Sequence, residues 1–291
     1  MSKILIVGGS GFLGSHVADR LSEYGHTVVI YDIKRSPYLR SDQEMIVGDI
    51  QDYDQINSAL SGMEYVYNFA CIADIKEAAE RPLDTVQTNI VGHANLLEAC
   101  CANNVKRYIY ASTVYIYSNS GSIYRASKQS AELLIDAYSE QFGLKYTIVR
   151  LGTLYGPRAP EWNGFYQLMM QAITTGRVEY NGSGREVREF IHVYDAAESC
   201  IEVLDPQFTN AHIIICGQDA LKGHDFVELL CEIFDGKLEV DLKYKDKKRP
   251  GHYVVTPYLY KPSIARRLNR KTYIDLGQGI LEYLHELRSD Y

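Results

Sequence analysis

Short apolar runs alternate with amphipathic stretches through the first half of the chain. Lys3 to Val7 is a continuous apolar run of strand length, and Phe12 to Tyr24 follows with apolar residues at helical spacing. Thr27 to Tyr31 and the shorter Met45 to Val47 read as the next strands, Ile56 to Leu60 starts a helix, and Tyr65 to Ala70 is again a β run. From Pro82 to Asn103 the apolar positions, Leu96, Leu97 and Ala99 among them, repeat with the period of a helix. A strand at Arg107 to Ser112, a helix carrying Tyr124 and Lys128, and a strand at Tyr146 to Leu151 complete the series. Continuous apolar strands separated by helices are the pattern of βαβ units, whose parallel sheet is covered on both faces. The expected fold is therefore α/β, a Rossmann-type doubly wound parallel sheet. After Tyr155-Gly-Pro-Arg the pattern loosens and helices mix with short strands, which predicts a smaller C-terminal α/β substrate domain. The expected division is 1–155 for the first domain, with 188–216 returning to it, and 156–187 plus 217–291 for the second.

With 291 residues the chain can bury a sizeable core. Its 30 basic and 37 acidic residues give a net charge of -7, so no nucleic-acid or anionic-membrane surface is expected and any phosphate must be held by local groups. The basic clusters Lys243 to Arg249 and Arg266 to Lys271 read as solvated surface. The six cysteines show neither C-x-x-C nor His-paired spacing, so no metal site is expected and they read as thiols of a reducing cytoplasm. The chain opens directly on a strand, MSKILIVGG, which reads as lacking a leader peptide, and no apolar run approaches membrane-spanning length.

Where the first strand gives way to the first helix, ILIVGGSGFLGSHVADRL spaces Gly8, Gly11 and Gly14 three residues apart. In such a strand–turn–helix, the first glycine permits the tight turn, the second lets a pyrophosphate approach the backbone, and the third lets helix pack on strand. The helix N-terminus adds unpaired N–H groups and the positive end of its dipole. Asp32 ends the second strand, where a carboxylate accepts hydrogen bonds from an adenosine ribose and repels a 2'-phosphate. That favours NAD over NADP, although Lys34 and Arg35 stand nearby.

Tyr124 and Lys128, in SIYRASKQSAELL, are four residues apart, which puts phenol and ammonium on one helix face. The ammonium is expected to lower the phenol toward neutral titration. Such a phenol is a general acid or base for a hydroxyl that becomes a ketone, the proton transfer that accompanies hydride transfer.

Together these residues resemble the extended short-chain dehydrogenase/reductase family, in its NAD-dependent nucleotide-sugar epimerase/dehydratase branch. The resemblance runs over nearly the whole chain and includes GDI at Gly48 to Ile50, NFACIAD at Asn68 to Asp74, TNIVGHANLLEAC, YASTVYIYS, RLGTLYGPR, GSGREVREFIHVYDAA and KKRPGHY. It implies that Gly8, Gly11, Phe12, Leu13, Gly14, Asp32, Asp49, Ile50 and Ala70 bind the cofactor, with Asp49 at adenine and with Ala70 and Cys71 in the small-residue positions bordering the nicotinamide. It makes Asn89 the family's buried asparagine. It also implies Thr113, Tyr124 and Lys128 as catalytic residues, Lys128 holding nicotinamide ribose as well, and Thr113 in preference to Ser112. Thr113, Thr153, Arg188 and Arg249 are then the residues toward a nucleotide-diphosphate sugar, the two arginines offering bidentate phosphate contacts. His192, Asp195 and Trp162 read instead as a structural histidine, a helix N-cap and a packed aromatic. Relatives pair as homodimers through two long helices, here those containing Leu96 to Ala99 and Ala131 to Ile135.

The departures from the family pattern narrow the chemistry. Dehydratase relatives follow the catalytic threonine with Asp-Glu and decarboxylating relatives place a glutamate beside it, whereas here Val114 and Tyr115 follow Thr113. Thr153 stands where relatives have an asparagine. Thr113 and Tyr124 are only 11 residues apart, roughly half the usual interval, so the loop that walls the sugar site is short. A 4-epimerase fits best, with Tyr124 as acid/base of a transient oxidation. A net 4-ketoreductase or dehydrogenase, and a non-catalytic dinucleotide sensor, stay open.

Overall fold

A computed structural model describes residues 1–118, 120–182, 184–218, 220–242 and 265–289. The opening apolar run is strand β1 (Lys3–Val7), followed by helix α1 (Phe12–Glu23), β2 (Thr27–Asp32), β3 (Gln43–Val47), α2 (Tyr53–Ala59), β4 (Tyr65–Asn68) and α3 (Ile75–Glu80). The long periodic stretch is α4 (Pro82–Val86), a π-helical turn at Gln87–Gly92 and α5 (His93–Ala102). Then come β5 (Arg107–Thr113), a 3-10 turn at Val114–Tyr117, the 21-residue α6 (Ser122–Phe142) and β6 (Tyr146–Leu151). The second half runs β7 (Thr153–Tyr155), α7 (Gly164–Thr175), β8 (Arg177–Tyr180), β9 (Val187–His192), α8 (Val193–Glu202), β10 (Ala211–Ile215), β11 (Ala220–Lys222), α9 (Gly223–Ile233), β12 (Glu239–Leu242), β13 (Arg266–Arg267) and α10 (Leu276–Ser289).

Eight of these strands form one sheet in the order β13-β10-β6-β5-β4-β1-β2-β3, every pair parallel. All residues of β5 and β6 are buried, as strands covered on both faces must be. One face packs against α1 and α8, through Leu13, Val17, Leu21, Ala196 and Cys200; the other packs against α2, α5 and α6, through Ile56, Leu96, Leu97, Ala131 and Ile135. Strand order reverses beside β1, and the crevice at that switch point, at the carboxyl ends of the strands, is where this architecture binds ligands. The fold is thus the doubly wound Rossmann type.

The stretch 188–216 divides. Ala211–Ile215 lies in the large sheet beside β6, whereas β9 pairs with β7 and antiparallel with β11 in a separate three-stranded sheet. β13, from the far C-terminal part, extends the large sheet past β10. A separate core of Tyr155, Phe165, Met169, Phe226, Leu230 and Tyr283 gathers α7, α9 and α10, with Phe165 stacked on Tyr155 at 4.6 Å. Leu96, Leu97, Ala99, Ala131 and Ile135 all lie in the interior, so they are not the surface of a subunit contact. On α6 and on the π-helical turn that leads into α5, the large apolar residues turned outward are Val91, Leu133 and Phe142.

Candidate functional site

The glycine turn is built by exclusion. Gly8 has φ +79°, and a Cβ there would lie 2.5 Å from the Ala70 amide nitrogen, so β1 can leave the sheet past β4 only with glycine. A Cβ on Gly14 would lie 2.3 Å from the Gly8 carbonyl oxygen, so α1 can dock on the turn only with glycine there. The first turn of α1 has no side-chain cap and no acid, whereas α2 and α7 are capped by Asp52 and Asn163. An uncapped helix end at a glycine turn is a site for an anionic group. Phe12 is half-buried there and Leu13 buried.

Asp32 stands beside this turn, its carboxylate accepting from the Ser10 amide at 2.9 Å and the Lys34 amide at 3.1 Å. Asp49 is exposed; its carboxylate accepts from the Gln51 amide at 2.9 Å, and its carbonyl accepts from the Tyr31 hydroxyl at 2.9 Å. Ile50 is buried beneath it. Ala70 is half-buried, its amide bonded to Asn68 Oδ1 at 3.0 Å. These residues stand at or just past the carboxyl ends of β4, β1, β2 and β3, neighbours in the sheet, and are the ones that could hold an extended dinucleotide.

The end of β5 meets α6 at the same edge. Lys128 is buried, and its Nζ donates to the Ala111 carbonyl at 2.7 Å while lying 4.8 Å from the Tyr110 ring centroid and 5.9 Å from that of Tyr124. Thr113 reaches Tyr124 with its hydroxyl, and its Oγ1 accepts from the Tyr115 amide at 3.3 Å. Ser112 points the other way, donating to Glu132 at 2.5 Å. Burial pushes the Tyr124 phenol up, while the Lys128 ammonium and the Thr113 hydrogen bond pull it down without outweighing burial. The expected fall toward neutral titration is therefore not produced by the chain's own residues. Burial, and after it the Lys128 ammonium, also hold His93 down at about 3, so its imidazole is neutral.

The π-turn explains Asn89. Its widened backbone carries the residue inward, where Oδ1 accepts from the Ile72 amide at 2.8 Å and Nδ2 donates to the Ile72 carbonyl at 3.1 Å and to Ser127 Oγ at 3.0 Å. One amide thus ties the segment after Cys71 to α6 at Ser127, the residue before Lys128.

On the substrate side the grouping is looser. Thr153 pairs with Phe190, two residues from Arg188, so these two candidates stand on neighbouring strands of the small sheet, both half-buried. Glu189 pairs with Arg267 at 3.6 Å. Arg249 lies outside the described residues. His192 is buried and caps α8 through Nδ1, accepting from the Tyr194 amide at 3.3 Å. Asp195 is therefore not the cap. It lies in the helix's first turn, pairs with Arg270 and accepts from the Ile274 amide at 3.0 Å, because the C-terminal segment folds back over α8. Trp162 is 46% exposed rather than packed. Among the described residues no group of three His, Cys, Asp or Glu side chains could hold a metal ion, and no helix is long and apolar enough to cross a membrane.

A second buried cluster escaped sequence reasoning. Arg150, inside β6, forks onto Glu132 with Nη2 to Oε2 at 2.6 Å and Nε to Oε1 at 3.1 Å, and also reaches Tyr117 and His212. Two signals could have found it: an arginine within the apolar run YTIVRL, and the four-residue repeat Tyr124, Lys128, Glu132, Asp136.

Comparison with known proteins agrees with this geometry. Residues 4–217 match the model of the NAD dependent epimerase/dehydratase family. A UDP-N-acetyl-alpha-D-glucosaminuronate decarboxylase of Bacillus cytotoxicus is 30% identical over 244 residues, 75% of each chain. Protein CapI of Staphylococcus aureus is 28% identical over 225 residues, 68% of this chain and 67% of its own. A UDP-glucuronic acid 4-epimerase of Bacillus cereus, solved in complex with UDP-glucuronic acid and NAD, superposes with a TM-score of 0.84 at 24% identity, covering 99% of this chain and 100% of that one.

Proposed function

The chain belongs to the NAD dependent epimerase/dehydratase family, and from that premise we propose that it is a nucleotide-sugar epimerase acting at C4 through transient oxidation to a keto sugar. It is an enzyme of the extended short-chain dehydrogenase/reductase family and uses NAD. The observation that carries the finer reading is the end of β5: Thr113 and Lys128 flank Tyr124, and Val114 and Tyr115 follow where an eliminating or decarboxylating relative would carry an acid. The residues here can remove and return a hydroxyl proton, but supply no adjacent acid to expel water.

In this reading Tyr124 takes the proton of the sugar hydroxyl, Thr113 hydrogen-bonds the same oxygen, and Lys128 stabilises the phenolate and holds the nicotinamide ribose. NAD, when bound, would supply the hydride acceptor, and its nicotinamide charge would add to the pull of Lys128 on the phenol. Gly8, Gly11, Gly14 and the first turn of α1, through Phe12 and Leu13, hold its pyrophosphate; Asp32 takes the adenosine ribose, Asp49 and Ile50 the adenine, and Ala70 borders the nicotinamide. Thr153 and Arg188 face the nucleotide diphosphate of the substrate, and the resemblance alone assigns Arg249 to it. We place the enzyme in the cytoplasm as a homodimer joined through Val91, Leu133 and Phe142. A monomeric mass at micromolar concentration would remove that contact.

The test is to incubate the purified protein with a panel of nucleotide sugars while following NADH absorbance and product stereochemistry. Interconversion of C4 epimers without net absorbance change is expected, and Tyr124→Phe should lower kcat on the order of 1,000-fold. Stoichiometric oxidation or reduction would mark a ketoreductase or dehydrogenase instead, and undiminished cellular activity of Tyr124→Phe would mark a sensor.

A further inference from the structure

Resting on the reading of Tyr124 as the acid/base, we propose that Glu132 and Arg150 are positioning residues: their buried ion pair fixes how far α6 sits along β5, and so holds Tyr124 and Lys128 opposite Thr113. Tyr124, Lys128, Glu132 and Asp136 recur every fourth residue and form one stripe on α6. Each meets the sheet in turn: Tyr124 at Thr113, Lys128 at the Ala111 carbonyl, Glu132 at Ser112 and Arg150, Asp136 at the Tyr146 hydroxyl (2.9 Å). Ser112 and Arg150 are register partners across β5 and β6, so Glu132 is clamped by two strands at one level.

The same guanidinium reaches the other side of the reacting pair. Arg150 Nη1 donates to the Tyr117 hydroxyl at 2.8 Å, and its centre lies 5.2 Å from that ring. Tyr117 ends the 3-10 turn that follows Thr113. Arg125 Nη1 to the Ser118 carbonyl (2.7 Å) and Gln129 Nε2 to the Ile116 carbonyl (2.9 Å) tie the first turns of α6 to that connection. With so short a link between Thr113 and Tyr124, a slide of α6 by one residue, about 1.5 Å, would break the Arg150 fork and move the phenol off the threonine.

Energetics assign the pair to geometry rather than stability. Arg150 is 0% and the Glu132 side chain 3% exposed, and a buried ion pair gains little over a well-packed apolar pair of similar volume. What an apolar pair cannot supply is a directional fork, which fixes one register.

The experiment compares wild type with the double variant Glu132→Leu/Arg150→Met. Expected are a folded protein, a fall in kcat on the order of 100-fold with KM for the nucleotide sugar little changed, and an acid limb of the kcat/KM profile moved to higher pH. That limb moves because Tyr124, which faces Lys128, Thr113, Tyr110, Tyr115 and Cys71, loses the alignment of the first two. A crystal structure of the variant should show Tyr124 displaced from Thr113 by about 1 Å or more. Unchanged kcat, acid limb and Tyr124 position would overturn the proposal. Should the double variant not fold, Ser112→Ala cuts the Glu132 link to β5 without stranding a charge; a several-fold loss of kcat with the same limb shift supports positioning, and wild-type behaviour overturns it. If the wild type turns over no nucleotide sugar, the epimerase reading falls, while the position of Tyr124 in the variant still decides this one.

Discussion

Two cations are buried within the same helix–sheet interface, and they are treated in opposite ways. Arg150 has a forked carboxylate, a phenol hydroxyl and an imidazole around it. Lys128, equally removed from water, has a backbone carbonyl and two aromatic rings, with no carboxylate at ion-pair distance among the described residues. A buried charge without a counter-ion lowers stability, and such a group persists where its charge is used on something else. The difference separates a cation that holds the scaffold from one that acts on its neighbours: Tyr124 and His93 are both pulled down by Lys128.

Substitutions can break this contrast. Lys128→Met should cost the most activity, lowering kcat by about 1,000-fold, yet raise the urea midpoint by an amount equivalent to about 1 kcal/mol because it removes an unpaired buried charge. A lowered midpoint would mean that Lys128 is structural after all. Arg150→Met alone should do the reverse in stability, losing about 3 to 5 kcal/mol because the buried Glu132 loses its forked guanidinium and keeps only Ser112 and His212; equilibrium urea unfolding measures it, and a loss no larger than that of the apolar double variant would refute the account.

The smallest effect concerns pH. Burial pulls His212 down, but Asp136 and Glu132 outweigh it and hold the imidazole above its ordinary 6.5. Burial pushes Glu132 and Asp136 up, yet their hydrogen bonds, with His212 foremost, hold them below their ordinary 4.5 and 3.8. The carboxylate contribution is present above those ordinary values and lost as pH falls through the lowered ones. The His212 contribution is complete below 6.5 and lost as pH rises through the raised value. Stability from this cluster should therefore peak between pH 4.5 and 6.5 and decline on the alkaline side, and His212→Gln should flatten that decline in urea midpoints taken across the range.

Much of this was legible in the chain itself. Apolar strands that must be covered on both faces announce a parallel sheet, and the glycine spacing works because Gly8 and Gly14 sit where any Cβ would strike backbone. Local pattern could carry that information because the contacts are between neighbours in the order of elements. It marks Arg150 as a cation in an apolar strand and Glu132 as one acid of a helix stripe, but not that they pair, because they lie 18 residues apart on different elements. The phenol's response is hidden for a related reason: a spacing of four shows the ammonium but not the burial working against it. Asp195 resembles a cap in the chain because its partners, Arg270 and Ile274, arrive from 75 and 79 residues further along.

The order of strands also bears on how the chain comes off the ribosome. β6 is wholly buried, yet its neighbour β10 ends at Ile215, 64 residues after Leu151. At a synthesis rate of about 5 to 20 residues per second, that leaves β6 with an open, apolar edge for roughly 3 to 13 s. During that interval the nascent protein offers the kind of strand edge that chaperones shield and that neighbouring nascent chains can pair with.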